Sequence, residues 1–244
     1  MSSSKCRIDS NRYKAVLFDL DGVITDTMDL HYEAYRLAFK DYGIDVSRMD
    51  IFMREGMPSM DVGRDIASAK GARLTEADIL KLIGKKREIQ RSMAEKDARV
   101  YPGAAETLSV LRDHGIRLAL ITGSNLMSVQ KTLHKVGIEG LFDAIVTGDD
   151  TPRGKPYPDP YLKGMEKLGV PGENSVVIEN APLGIRSAKA AGAGYVIAIT
   201  TTLPAECLKE ADDIASSFID IEDCLAKRLT SSMAQDRLTH DRQT

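Results

Sequence analysis

The sequence predicts an α/β fold in which a parallel sheet, covered by helices on both faces, is interrupted by an inserted helical subdomain. Two observations carry this prediction. Short apolar segments alternate with helical patterns along most of the chain, and the alternation stops over one long interval near the N-terminus. Alternating strands and helices are typical of a parallel sheet with right-handed crossovers.

Five short apolar segments are the predicted strands. Each is rich in Val, Ile, Leu or Ala and lacks period-two alternation, as expected for strands that are covered on both faces. In chain order they are residues 15–20 (AVLFDL), 117–122 (RLALIT), 143–148 (DAIVTG), 175–180 (SVVIEN) and 195–200 (YVIAIT).

Helical patterns separate these strands. They cover residues 103–115, 125–137, 159–169 and 181–192. Three of them end on Gly115, Gly137 and Gly169, and glycine is the residue that most readily terminates a helix in the left-handed conformation.

The interval from Asp26 to Ala98 contains helical patterns and no convincing strand. We interpret it as a helical cap inserted into the α/β domain. The predicted organisation is a core formed by residues 13–25 and 99–230, a cap formed by 26–98, and flexible termini at 1–12 and 231–244. The connections near Thr25–Asp26 and Val100–Pro102 are the expected hinges.

Composition narrows the range of functions. The 244 residues carry a net charge of −3 and no Trp, which argues against nucleic-acid and anionic-membrane partners. Three widely spaced cysteines indicate free thiols, and no apolar run is long enough to span a membrane. We therefore expect a cytoplasmic protein, a monomer or weak dimer, with a small-molecule substrate.

Polar residues follow several predicted strands. Because ligands bind at the carboxyl ends of strands in an open α/β sheet, these residues form the candidate site. They are Asp19 and Asp21 at the end of the first strand, Thr122, Gly123, Ser124 and Asn125 at the end of the second, Lys155 in the loop after the third, and Glu179 and Asn180 at the end of the fourth. Oxygen ligands without His or Cys favour a hard cation, and Mg²⁺ is the natural choice beside phosphate.

These residue types suit phosphoryl transfer. Asp19 is a candidate carboxylate nucleophile, and Asp21 is a candidate acid and base for the leaving oxygen and water. Thr122, the Gly123–Ser124 amides and Lys155 would hold the phosphoryl group, and Asn125 is a further candidate for binding phosphate. Taken singly, each signal has a structural alternative, since D-x-D, Thr-Gly-Ser and Glu-Asn segments also form turns and helix caps.

The segments DLDGVITDT, TGSN, RGKPYPDPYL and VIENAPLG resemble the four successive motifs of the haloacid dehalogenase superfamily. The position of the insert resembles the helical-cap branch of β-phosphoglucomutase-like phosphatases. The resemblance covers about residues 13 to 225. It implies a Rossmann-like (HAD-like) core, a mobile helical cap, Mg²⁺ and phosphoryl transfer.

The resemblance also implies residue roles. Asp19 would be nucleophile and metal ligand, and Asp21 the acid/base with its backbone carbonyl on the metal. Thr122, Ser124 and Lys155 would contact phosphate. Asn180 would be at the metal-ligand position, with Glu179 beside it as a further candidate metal ligand. Because Asp21 is present, dehalogenase chemistry is disfavoured.

Two departures from the family pattern bear on the substrate. The fourth motif ends in Glu179–Asn180 rather than in two acids, so the metal site loses one negative charge. In the cap, Glu55 and Ser59 stand where β-phosphoglucomutases have the lysine and arginine that grip a second phosphate. We therefore hypothesise that Glu55 ligates Mg²⁺ and favours inorganic pyrophosphate; the alternative is an exposed Glu55, or one paired with Arg54 or Arg64.

His31, on the first cap helix, is a further candidate site residue that would help to position Asp21; a buried structural histidine is the alternative. The leading hypothesis is a Mg²⁺-dependent phosphohydrolase with an aspartyl-phosphate intermediate, acting on pyrophosphate or on small sugar or organic acid phosphates. The alternatives are a sugar phosphomutase and a non-catalytic phosphate-binding regulatory module.

Overall fold

The computed structural model describes residues 12–222 and 225 of the chain. The predicted flexible termini, apart from Arg12, and the last predicted core residues, 226–230, lie outside the described residues. Cys6 and Cys224 lie outside them as well.

The described strands form one six-stranded parallel sheet in the order β3-β2-β1-β4-β5-β6. Its strands are β1 (Ala15–Phe18), β2 (Arg117–Ile121), β3 (Ala144–Val146), β4 (Ser175–Glu179), β5 (Tyr195–Ile199) and β6 (Asp213–Ala215). The five predicted strands are confirmed. β6 was not predicted, because a strand of three residues is too short to show a pattern.

The strand order reverses at β1, which lies between β2 and β4. Phe18, the last residue of β1, pairs with Leu120 on one side and with Ile178 on the other. Asp19 follows directly, so it lies at the switch point of the sheet, where a crevice forms outside the strand ends.

Four helices connect the strands after β1. They are α5 (Ala104–Asp113), α6 (Leu126–Val136), α7 (Asp159–Leu168) and α8 (Pro182–Ala190). The predicted terminating residues Gly115, Gly137 and Gly169 all have positive φ angles. The sheet is buried on both faces: Leu17 packs into one apolar cluster and Phe18 into the other.

The helical segment between β1 and α5 contains α1 (Met28–Lys40), α2 (Arg48–Phe52), α3 (Ser59–Ala69) and α4 (Glu76–Asp97). α2 was not predicted, since five residues show no helical period; a capping box at Ser47 starts it. The backbone strand that enters this segment is hydrogen bonded to the one that leaves it. Asp26 N donates to Arg99 O, and Tyr101 N donates to Ile24 O. Among the described residues, no helix combines the length and apolar character that crossing a membrane requires.

Candidate active site

The strand ends bring the predicted site residues together around Lys155. Its Nζ donates to Asp19 Oδ1, to Glu179 Oε1 at 2.6 Å and to Ile121 O at 3.3 Å. All three charged side chains are buried. Burial alone would lower the pKa of Lys155, but Asp19 and Glu179 outweigh it and raise that pKa above its ordinary value. The lysine is therefore charged and fixed between two carboxylates.

Protein donors occupy both carboxylate oxygens of Glu179. Besides Lys155, the Tyr161 hydroxyl donates to Oε1 at 2.7 Å. The backbone N–H groups of Asn180 and Ala181 donate to Oε2 at 3.0 and 3.4 Å. This arrangement makes Glu179 the anchor of Lys155. Tyr161 was missed by the sequence analysis, because a tyrosine inside an apolar helix pattern gives no separate signal.

Asp21 is held by side chains from both the sheet edge and the helical segment. Thr27 Oγ1 donates to Oδ1 at 2.6 Å, and Ser124 Oγ donates to Oδ2 at 3.2 Å. His31 Nε2 lies 3.2 Å from Oδ1. Burial alone would raise the pKa of Asp21, but His31 and Thr27 outweigh it and hold this pKa below its ordinary value. His31 thus contacts the carboxylate that the sequence analysis expected it to position.

In the turn after β2, one side chain faces the site and the next one caps the following helix. Ser124 N donates to Thr122 Oγ1 at 3.1 Å, and Ser124 Oγ faces Asp21. Asn125 Oδ1 instead accepts from Ser128 N at 3.0 Å and caps α6. The side chain of Asn125, predicted to bind phosphate, therefore has a structural role in this geometry.

The loop of residues 54–58 packs directly on the core. At Gly56, where φ is +84°, an added Cβ would lie 2.4 Å from Lys155 Cδ. At Gly123 an added Cβ would lie 3.1 Å from Gly56 O. The structure is thus of a closed form, and the cavity left between loop, α1, α4 and the β2 turn measures about 30 Å³. It has room for roughly one or two water molecules.

Glu55 lines this cavity and forms no pair with either arginine considered in the sequence analysis. Arg54 pairs with Asp65 at 2.6 Å, and Arg64 pairs with Asp61 and Glu76. Burial raises the pKa of Glu55 well above its ordinary value, and the nearby Asp19 and Asp21 raise it further. Glu55 is therefore close enough to Asp19 and Asp21 to be affected by their negative charges.

Lys86, on α4, is a buried cation of the site that the sequence analysis missed. Its Nζ lies 4.7 Å from the Tyr35 ring centroid and donates to Gln90 Oε1, while Gln90 Nε2 contacts His31 Nε2. Burial lowers the pKa of Lys86 to about 8, against the opposing effect of Asp21 and Glu55. The sequence did indicate that Lys86 is buried, because it continues the helical spacing of the buried residues Ile79, Leu82 and Ile83.

The charges at the site leave an excess of carboxylates. Burial raises the pKa of Asp19 to about 8, with Lys155 opposing this shift and Glu179 adding to it. The charge of Lys155 acts on Asp19, Glu55 and Glu179, and the charge of Lys86 acts on Asp21 and Glu55. A site of this kind is stabilised by an additional cation.

Two buried oxygens at the site fit a metal ion. Asp19 Oδ2 and Asn180 Oδ1 have no hydrogen-bond partner, although such atoms are nearly always satisfied. Asn180 Nδ2 donates to Asp21 O at 3.3 Å and to Thr202 Oγ1 at 3.0 Å. The amide oxygen of Asn180 therefore points away from these two partners. Within residues 12–222 and 225, no three His, Cys, Asp or Glu side chains form a metal-binding cluster, and the Asn180 amide offers a neutral oxygen in addition to Asp19 Oδ2. Neutral and charged oxygens together are what Mg²⁺ accepts.

Comparison with known proteins decides the family. The model of the haloacid dehalogenase-like hydrolases matches residues 13–192. The chain belongs to this family. It is a hydrolase of the phosphatase kind, in the branch that resembles β-phosphoglucomutase. Mg²⁺ is the cofactor typical of haloacid dehalogenase-like hydrolases.

The names of the similar proteins specify different substrates. The chain is 31% identical over 216 residues to a "Phosphorylated carbohydrates phosphatase" of Thermotoga maritima, covering 83% of this chain and 93% of that protein. It is 28% identical over 200 residues to a "Putative pyrophosphatase PpaX" of Clostridium perfringens, covering 82% and 90%. A solved "Putative beta-phosphoglucomutase" from Bacteroides vulgatus has a TM-score of 0.79 at 32% identity, covering 90% and 91%.

Proposed function

We propose that this haloacid dehalogenase-like hydrolase is a Mg²⁺-dependent phosphohydrolase whose favoured substrate is inorganic pyrophosphate. The observation that carries the proposal is the position of Glu55, which lines a cavity of about 30 Å³ between the helical segment and the β2 turn and is close enough to Asp19 and Asp21 for their charges to raise its pKa. Small phosphorylated sugars and organic acids are the second candidates.

Asp19 acts as the nucleophile. One of its carboxylate oxygens attacks phosphorus, the bond from phosphorus to the leaving oxygen breaks, and an aspartyl-phosphate forms. Lys155, fixed by Glu179 at 2.6 Å, balances the charge of the transferring phosphoryl group together with the Thr122 hydroxyl and the turn amides. Glu179 is a positioning residue here, since protein donors already occupy both of its oxygens.

Asp21 moves the protons. As a carboxylic acid it donates a proton to the leaving oxygen; as a carboxylate it then accepts a proton from the water that attacks the aspartyl-phosphate. That second step releases inorganic phosphate and regenerates Asp19. His31, Thr27 and Ser124 hold the carboxyl group of Asp21 in place during both steps.

Mg²⁺ would be held by Asp19 Oδ2 and Asn180 Oδ1, the two buried oxygens without protein partners, and by Glu55 from the helical segment. When bound, it supplies the positive charge that keeps Asp19 ionised and neutralises the phosphoryl oxygens. Glu55 replaces the negative charge that Asn180, as a neutral amide, does not provide.

The same geometry disfavours a bisphosphate-dependent mutase. Ser59, which stands at the position of a phosphate-gripping arginine, is hydrogen bonded to Tyr35. Glu55, at the position of a phosphate-gripping lysine, would repel a second phosphate unless a cation lies between them. Pyrophosphate satisfies this requirement because it chelates Mg²⁺, and it brings no organic group that the helical segment would have to accommodate when it closes.

The residues near Thr25–Asp26 and Val100–Pro102 are proposed as hinges by which the segment 26–98 opens to admit substrate. They are the places where the chain passes between sheet and helices.

A substrate screen tests the proposal. The full chain would be assayed with Mg²⁺ against pyrophosphate, fructose 1-phosphate, β-glucose 1-phosphate and phosphoglycolate, with free phosphate and isomerised sugar phosphate both measured. We expect the highest kcat/KM for pyrophosphate and no isomerised product. A preference for a sugar phosphate by about tenfold, or formation of glucose 6-phosphate, would overturn the pyrophosphate assignment.

A further inference from the structure

A second cavity, of about 290 Å³, lies between α4 and α6, outside the active site. One wall is contributed by α4 of the helical segment and the other by α6 of the sheet domain, and the two helices pack against each other. The volume is close to the lower limit of about 300 Å³ for small-molecule sites. The cavity can therefore hold a small metabolite.

The walls of this cavity carry an excess of positive charge. Lys131 Nζ pairs with Glu95 Oε1 at 3.3 Å across the gap between the helices. His134 is paired with Glu139 at 3.2 Å. Arg91 on α4 and Lys135 on α6 also line the cavity, and in the described part of the chain neither makes an ion pair or a hydrogen bond through its side chain. Two unpaired cations on opposite walls suit an anion.

The other lining groups suit the organic body of such an anion. Ala94 and the methylene stems of Arg91 and Lys135 provide apolar surface, while Ser128 and Thr132 provide hydroxyl groups. An inorganic ion would leave the apolar part of the cavity unused. The lining thus fits a small organic acid or a phosphorylated metabolite better than a simple salt ion.

One lining residue connects the cavity to the active site. Gln90 lines the cavity, and its Nε2 contacts His31 Nε2, which in turn lies 3.2 Å from Asp21 Oδ1. A ligand beside Gln90 therefore has a path of direct contacts to the proton-transferring carboxylate.

We propose that the α4–α6 cavity binds a small organic anion and that this ligand inhibits turnover by holding the helical segment against the sheet domain. The cavity exists only while α4 and α6 are adjacent, so a ligand bound to both walls stabilises the closed form. The active-site cavity of this form, at about 30 Å³, has room for one or two water molecules only, so the helical segment must move away for substrate to enter or product to leave. The inhibitory effect rests on the proposed phosphohydrolase cycle, whereas the binding does not.

Binding is tested by calorimetry on the full chain without Mg²⁺, with glutarate and benzylphosphonate as the probes. Glutarate tests a carboxylate ligand and benzylphosphonate a phosphate-ester ligand. Arg91→Gln and Lys135→Gln should each weaken binding about threefold to tenfold, the effect of losing one partly exposed ion pair. Lys96→Gln, on α4 but outside the lining, is the matched control and should bind as the wild type does. The proposal is wrong if neither probe binds below about 10 mM, or if all four proteins bind equally.

Inhibition is tested with the same proteins during pyrophosphate hydrolysis. The binding probe should lower kcat for the wild type and Lys96→Gln, and should lower it much less for Arg91→Gln and Lys135→Gln. Inhibition that raises KM alone and is equal in all four proteins would place the probe in the active site and overturn the regulatory proposal. If pyrophosphate is not hydrolysed at all, the proposed function fails while the calorimetric result still decides the binding site.

Discussion

His31 Nε2 lies 3.2 Å from Asp21 Oδ1, which joins helix α1 to the carboxylate that follows β1. Burial and Lys86 lower the pKa of His31, against the opposing effect of Asp21, so the imidazole is mainly neutral at neutral pH. His31 belongs to the helical segment and Asp21 to the sheet domain. The position of the Asp21 carboxylate therefore depends on the helical segment being closed over the sheet.

Replacement of His31 by alanine should therefore impair proton transfer. We expect kcat to fall about tenfold to a hundredfold with little change in KM, since the residue positions Asp21. Because His31 lowers the pKa of Asp21, its loss should raise that pKa and move the limb of the kcat profile that reports the ionisation of Asp21 to higher pH. His114→Ala, outside the site, is the control. An unchanged kcat and pH profile would leave His31 with a structural role only.

Gly56 and Gly71 offer a matched pair for testing loop closure. Their φ angles are +84° and +72°, but an added Cβ would meet Lys155 Cδ at 2.4 Å at Gly56 and nothing within 4 Å at Gly71. Each alanine variant should lose about 1 kcal/mol of unfolding free energy from the left-handed backbone. Only Gly56→Ala should lose most of its kcat/KM. Equal activity of the two variants would contradict the closed geometry as the active one.

Lys155 should be essential for both stability and activity. Lys155→Met leaves the buried carboxylates of Asp19 and Glu179 without their shared cation, at a cost of about 3–5 kcal/mol. Urea unfolding without Mg²⁺ measures this loss. Mg²⁺ should restore part of the lost unfolding free energy, because the ion would bind near Asp19. Wild-type stability in the variant would show that the ion pairs contribute little.

Lys86 should make stability depend on pH in the alkaline range. Its pKa is about 8 in the folded chain and about 10.5 when unfolded, so the unfolded chain binds more protons between these values. The unfolding free energy of the wild type should therefore rise with pH from about 8 to about 10, relative to Lys86→Met. Chemical unfolding of both proteins across this range measures the difference. A difference that stays constant would indicate an ordinary pKa for Lys86.

The sequence was sufficient for most of the sheet and for the acids at its edge. Buried parallel strands are continuous apolar runs, so β1 to β5 were visible, and the residues after them had to converge at one edge. β6 and α2 were missed because three and five residues carry no period.

Contacts between distant segments were harder to predict. Lys86 had the spacing of a buried position, but only the packing of α4 against α1 brings its charge to His31 and Asp21. Local sequence did not show that the side chain of Asn125 would cap α6 rather than face the site. The anchoring of Glu179 by Tyr161 depends on helix α7 packing against β1, β2 and β3, which no local pattern encodes.

The most direct test of the account is the ratio of kcat/KM for pyrophosphate to that for fructose 1-phosphate, measured with Mg²⁺ in the wild type and in Glu55→Gln. Glu88→Gln, at an exposed position of α4, is the control. If Glu55 supplies the metal-binding charge, the ratio should fall at least about tenfold in Glu55→Gln alone, through loss of pyrophosphate turnover. An unchanged ratio, with full pyrophosphate turnover, would contradict the role of Glu55 in selecting the substrate.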